Sequence, residues 1–222
     1  MKKSSLLLLL TVFMVNCSST QLVERWKNPD IDSYEPYKIL VVGLTSDQDA
    51  RFQFENKLKK ELESRGSEAI MSLDVLKTDI MDSEDLDTLE HELLQEGYDT
   101  ILLTKIVGVE DKVSYSEDYK GFSETFREFK EEYLKHQDVY SNPDYYNEYK
   151  VYKAETSMYC ICPTKDRELI WKGYINITDP QSQSVEKTVT DFVRLVIVVL
   201  EEEQLIRPIQ IKNQNTTSET VQ

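Results

Sequence analysis

Lys38-Ile-Leu-Val-Val-Gly-Leu44 is a continuous apolar run after its first residue, with no polar alternation. Such a run reads as a strand buried on both faces, the pattern of a parallel strand covered by helices on each side. The residues that follow supply a crossover. Ser46-x-x-Asp49 offers an N-cap and an early acidic residue. Ala50, Phe54, Leu58 and Leu62 recur at steps of four and mark one helical face. Gly66, after Arg65, stands where a helix needs a left-handed closing residue. A short strand is expected over Glu68 to Leu73. A second helix is expected over Ser83 to Glu96, with Leu86, Leu89 and Leu93 inward and Gly97 at its end. Thr100 to Val109 is a second strongly apolar strand.

Further on, Val151 to Cys162 reads as a strand and Pro163 to Asp166 as a turn. Glu168 to Thr178 is a strand carrying Trp171, and Ser184 to Glu203 a final helix. The order β-α-β-α-β, then an insertion, then β-β-α, predicts an α/β fold. The expected architecture is a single mixed sheet of about five strands with helices on both faces. The last helix contains a nearly pure apolar stretch, Phe192 to Leu200, but Lys187, Asp191 and Arg194 interrupt the wider window around it and Glu201-Glu202-Glu203 close it. A bilayer core needs about 20 apolar residues, so this segment reads as a core helix. Val185, Val189, Phe192, Val196 and Leu200 form its buried face.

The amino terminus carries an address. Lys2 and Lys3 precede an apolar run from Leu6 to Val15, broken only by Thr11. At about 10 residues this run is too short to span a bilayer and fits an export signal. Phe13-Met14-Val15-Asn16-Cys17 follows the pattern of a bacterial lipobox, with Asn16 and Met14 at positions where smaller residues and Leu are usual. The resemblance implies cleavage after residue 16 and acylation of Cys17. More than one acyl chain is what stable membrane anchoring requires. Ser18, where Asp would favour inner-membrane retention, resembles the outer-membrane default. The expected location is therefore the outer membrane, lipid-anchored and facing the periplasm. Residues 17–37 are expected to be a tether, 38–206 the folded domain, and 207–222 a disordered polar tail.

Charge narrows the partners. The 222-residue chain carries 41 acidic and 26 basic side chains, a formal charge of −15. Removing residues 1–16 takes away Lys2 and Lys3 and no acidic side chain, which lowers this to −17. A surface of that sign repels phosphate backbones and anionic headgroups. Nucleic acid is excluded as a partner, and the lipid alone is expected to hold the membrane.

No catalytic constellation emerges, and no enzyme, cofactor or metal site is expected. A nucleophile needs a base within hydrogen-bond reach; the two histidines, His91 and His136, read as surface residues. Gly43-Leu-Thr-Ser-Asp47 lies between a strand and a helix but lacks the glycines and lysine of a phosphate loop. Asp47 and Asp49 would repel an anion there. Cys160 and Cys162, two apart on a strand, point to one face. They read first as small buried apolar residues. A local disulfide across so short a loop would be strained, although an oxidising compartment permits one.

The stretch from Tyr115 to Tyr152 holds eight of the 13 tyrosines among acidic and basic residues. Phe122, Phe126, Phe129 and Tyr133 share a helical stripe, and Tyr140 to Tyr149 is loop-like. Tyrosine gives rigid contact area with a polar tip. Within this insertion, residues 115–150, the candidate partner-binding side chains are Tyr119, Phe122, Phe126, Tyr133, Tyr140, Tyr145, Tyr146 and Tyr149. The expected role is non-enzymatic binding of an envelope protein or glycan. The alternative is an accessory component of an envelope transport or secretion complex.

The chain resembles a family of Gram-negative envelope lipoproteins that has no assigned activity. The likeness rests on Glu24-Arg-Trp-Lys-Asn-Pro29, Lys38 to Leu44, Arg51-Phe-x-Phe-Glu55, Arg65-Gly-Ser-Glu-Ala69 and Tyr98-Asp-Thr-Ile-Leu-Leu-Thr104. It continues through Glu155-Thr-Ser-Met-Tyr159 and Leu169-Ile-Trp-Lys-Gly173. It implies location and fold rather than chemistry.

Overall fold

A computed structural model describes residues 20–76, 81–109, 129, 133–134, 151–162, 168–178 and 184–209. Among the described residues, six strands form one open mixed sheet. They are β1 (Thr20–Lys27), β2 (Lys38–Leu44), β3 (Glu68–Met71), β4 (Thr100–Val109), β5 (Val151–Cys160) and β6 (Leu169–Thr178), in the spatial order β1-β6-β5-β4-β2-β3. Among the described residues, the helices with both ends described are α1 (Gln48–Glu63), the single turn α2 (Ser72–Val75), α3 (Ser83–Gln95) and α4 (Val185–Glu202). β2 pairs in parallel with both β3 and β4, and every other pairing is antiparallel. The class and the mixed sheet agree with the reading of the sequence.

β2 explains why its residues look as they do. Ile39 and Val41 face one core with Phe54, Leu58 and Leu62 of α1 and Val193, Val196 and Leu200 of α4. Leu40, Val42 and Leu44 face the other, with Leu86, Leu89 and Leu93 of α3. Successive side chains of a strand point to opposite faces, so in β2, covered on both faces, consecutive positions are apolar.

Helix ends follow local rules with one exception. Gly66 (φ +92°) and Gly97 (φ +84°) close α1 and α3, and the next amides, Ser67 and Tyr98, reach back to Leu62 and Leu93. α4 ends on Gln204, at φ +59°, with the Leu205 amide bonded to Leu200. An N-cap at Ser46 was expected for α1; the cap is Asp47, whose carboxylate accepts the Ala50 amide at 3.0 Å. The strand expected to reach Leu73 stops at Met71, because Ser72 to Val75 turn into α2.

The sheet expected to hold about five strands has six among the described residues, the additional one lying inside the segment 17–37 that reads as a tether in the sequence. Thr20 to Lys27 is an edge strand beside β6, with a bulge between Leu22 and Glu24. Leu22 packs at the margin of the first core and Trp26 at that of the second. Downstream, Asn28 and Ile31 are buried. The segment's polar residues hid the strand because an edge strand needs few apolar contacts. Arg207 pairs with Glu35 at 2.6 Å; residues from 210 onward lie outside the described ones.

Phe129 and Tyr133 are helical, fully buried, and packed on the second core, with Phe129 6.3 Å from the Tyr159 ring. Tyr133, a candidate partner-binding side chain in the sequence, has no exposed surface in the domain and packs on this core. Tyr119, Phe122, Phe126, Tyr140, Tyr145, Tyr146 and Tyr149, like Cys17 and His136, lie outside the described residues. Among the described residues no helix is long and apolar enough to cross a membrane.

Candidate functional site

Where parallel strands end, α/β sheets commonly place their chemistry. In this chain the carboxyl end of β2 is occupied by the protein's own charges. β2–β3 pairing stops at Val41 and Met71, two residues short of Gly43. Glu55 of α1 fills the gap. Its Oε1 accepts the Gly43 amide at 2.9 Å, Arg51 Nε at 3.1 Å and the Ser72 hydroxyl at 2.6 Å, and its Oε2 accepts the Leu73 amide at 3.1 Å. Arg51 also donates to Ser72 Oγ at 3.0 Å. Arg51, Glu55 and Ser72 are all essentially solvent-free. A buried carboxylate is tolerated only when its lone pairs are satisfied this fully. A Cβ at Gly43 would stand 3.0 Å from Phe54 Cδ1, so a side chain there requires the Phe54 ring to give way slightly.

A second buried polar group crosses the sheet on the α3 side. Lys105 of β4 stands opposite Glu155 of β5, which stands opposite Tyr174 of β6. One step along, Ser157 is opposite Lys172, and Lys172 opposite Trp26 of β1. Lys105 Nζ lies 3.5 Å from Glu155 Oε1, and the Ser157 hydroxyl donates to the same oxygen at 3.0 Å. Lys172 Nζ sits 6.0 Å above the Tyr174 ring, a cation–π arrangement. On the α1 side of the same strands, Thr104 and Thr156 share a hydroxyl hydrogen bond of 2.9 Å. The Tyr152 hydroxyl titrates above its ordinary range, first through burial and then through the Asp47 charge.

These arrangements can orient and hold, but Ser72 is a poor nucleophile. Its hydroxyl hydrogen is committed to Glu55, and the residue has no exposed surface. His91 is exposed on α3 and contacts Gln95, the surface position read from the sequence. The Gly43–Asp47 turn is the helix cap described above, with Asp47 exposed. Among the described residues no group of three His, Cys, Asp or Glu side chains could hold a metal ion.

Sequence reasoning passed over Arg51, Glu55, Lys105 and Lys172. The signal for the first pair was present: opposite charges at i and i+4, bordering the apolar stripe of α1. For Lys105 and Lys172 the signal was a lysine within an otherwise apolar strand. Cys160 and Cys162 are joined in a disulfide, which replaces the reading of them as two separate small apolar residues.

No family model matches the chain, and no curated protein matches it. Among solved structures it is similar to the PelC dodecamer from Paraburkholderia phytofirmans, with 9% identity and a TM-score of 0.44 over 84% of this chain and 98% of that one. It is also similar to lipoprotein GNA1162 from Neisseria meningitidis, with 12% identity and a TM-score of 0.39 over 75% of this chain and 97% of that one. The structural neighbours thus include a lipoprotein. Neither likeness assigns chemistry to a residue of this chain.

Proposed function

We propose that the protein is an outer-membrane lipoprotein, held by acyl chains on Cys17, whose α/β domain binds an envelope protein or glycan without turning it over. The observation that carries this reading is Cys17 itself, placed directly after a charged start and a short apolar run. The tyrosine-rich segment 115–150 supplies the contact surface. Aromatic faces with polar tips suit both protein and sugar surfaces. In support, the buried charges at the sheet's carboxyl edge are satisfied by groups of the domain itself, as a scaffold requires.

Intact mass of the native protein tests the anchor: acyl mass on a chain beginning at Cys17 is expected, and a chain still beginning at Met1 would overturn it. Deleting 119–148 tests the surface. Loss of a partner from crosslinked envelope pull-downs is expected, and an unchanged partner set would sink this assignment.

A second reading, an accessory component of an envelope transport or secretion assembly, is favoured by the open sheet. Among the described residues β1 is an end strand of that sheet, and Val23 on it is half exposed. Native mass of the detergent-extracted protein separates the two: a monomer favours simple partner binding and a closed oligomer favours assembly.

A further inference from the structure

We propose that Cys160 and Cys162 form a thiol–disulfide exchange site, with a dithiol as its substrate class and Cys162 as the sulfur attacked. The two are joined although only two positions apart, with Cα atoms 5.3 Å apart. A ring this small removes little freedom from the unfolded chain, because the stabilisation a cross-link brings grows with the loop it closes. The surrounding backbone is held by other means. Cys160 is in register with Thr100 of β4, its amide donates to Glu168 O at 2.9 Å, and the Ile161 amide donates to Asp99 O at 2.9 Å. The bond is therefore dispensable as a staple, and the same sheet accommodates the oxidised and reduced forms.

The two sulfurs are not equivalent. Cys160 is fully buried in the core beneath α1 and α4, whereas Cys162 sits at the margin of that core and is partly exposed. An incoming thiolate reaches Cys162. It forms a bond to the Cys162 sulfur, the Cys160–Cys162 bond breaks, and the electron pair leaves on Cys160. Burial alone would make Cys160 a poor leaving group. The Cys162 amide, 3.3 Å from Cys160 Sγ and donating to it, offsets that penalty by stabilising the developing thiolate. The second thiolate of the substrate then attacks its own sulfur in the mixed disulfide and releases Cys162. The substrate dithiol is oxidised to a disulfide, the pair is reduced to two thiols, and the two substrate protons end on Cys160 and Cys162.

The test uses the full-length protein extracted in detergent and equilibrated in mixtures of reduced and oxidised dithiothreitol. Thiols are trapped by alkylation and mapped by peptide mass, which separates Cys17 from the pair. In the native protein Cys160 and Cys162 should become alkylated together, at a rate unaffected by sub-denaturing urea, while the thermal transition is retained. Cys160→Ser should accumulate a mixed disulfide with oxidised glutathione on Cys162 at least about tenfold faster than Cys162→Ser accumulates one on Cys160, since reactivity follows access and thiolate character. Reduction that occurs only once urea unfolds the chain, or equal rates in the two variants, would overturn the proposal and make the bond purely structural. The wild-type measurement stands independently of how either variant folds.

Discussion

The Glu55 carboxylate accepts the Gly43 amide at 2.9 Å, taking the place of the strand that β3 no longer provides at that level. One side chain of α1 thus completes the sheet, locks the helix over β2 and fixes the first residues after β3.

Replacing Glu55 by Ala removes the acceptor of two backbone amides and the carboxylate beside buried Arg51. Breaking one side of a buried pair costs about 3–5 kcal/mol. Urea unfolding should show that loss in Glu55→Ala. The double variant Arg51→Met/Glu55→Leu should recover part of it, because no uncompensated charge stays inside.

Gly43→Ala tests the close approach. The added methyl would meet Phe54 Cδ1 at 3.0 Å, with Arg51 Cγ and Glu55 Oε1 each at 3.5 Å. Overpacking of this kind costs about 1–3 kcal/mol. Chemical denaturation should show that loss, and Phe54→Leu in the same chain should lessen it.

Tyr34 gives a pH signature. Burial, its largest cause, raises the Tyr34 hydroxyl to about 12 from 10.0, with Asp99 adding to the rise and the Thr100 hydrogen bond opposing it. A folded-state value above the unfolded one means that the contribution to stability is complete below pH 10 and disappears as pH rises toward 12. Wild-type stability should fall through that window more steeply than that of Tyr34→Phe. Parallel slopes in urea titrations at stepped alkaline pH would contradict this.

Gln204 ends α4 at φ +59°, where α1 and α3 use glycine. A non-glycine residue in the left-handed region costs roughly 1 kcal/mol. Gln204→Gly should therefore stabilise the fold by up to about 1 kcal/mol, read as a rise in the denaturation midpoint at constant slope.

Removing residues 18–37 tests where the domain begins. That deletion exposes the β6 edge and takes away Trp26, Asn28 and Ile31, of which the last two are buried. An uncovered strand edge invites pairing between chains. The shortened chain should aggregate or melt earlier than one beginning at Ser18; equal melting and solubility would restore the tether reading.

Much was legible because it is written in local chemistry. The continuous apolar run of β2, the four-residue steps of α1, the glycines at 66 and 97 and the bounds of β4 all report constraints that act within a few residues. Cys17 likewise declares an expected address through its immediate neighbours.

What required tertiary structure was everything set by distant partners. Strand β1 owes its existence to β6, about 150 positions away in register, and its own composition gives only Leu22, Val23 and Trp26 as hints. Glu201 and Glu203 looked like a charged stop after an apolar helix. They instead receive Arg65 at 2.6 Å and Arg25 at 2.9 Å, which tie α1 and β1 to the end of α4. Arg51, Glu55, Lys105 and Lys172 look like surface charges in a chain rich in them. Only the packed sheet shows that they are inside, because burial belongs to the whole arrangement of the chain and no short stretch of sequence encodes it.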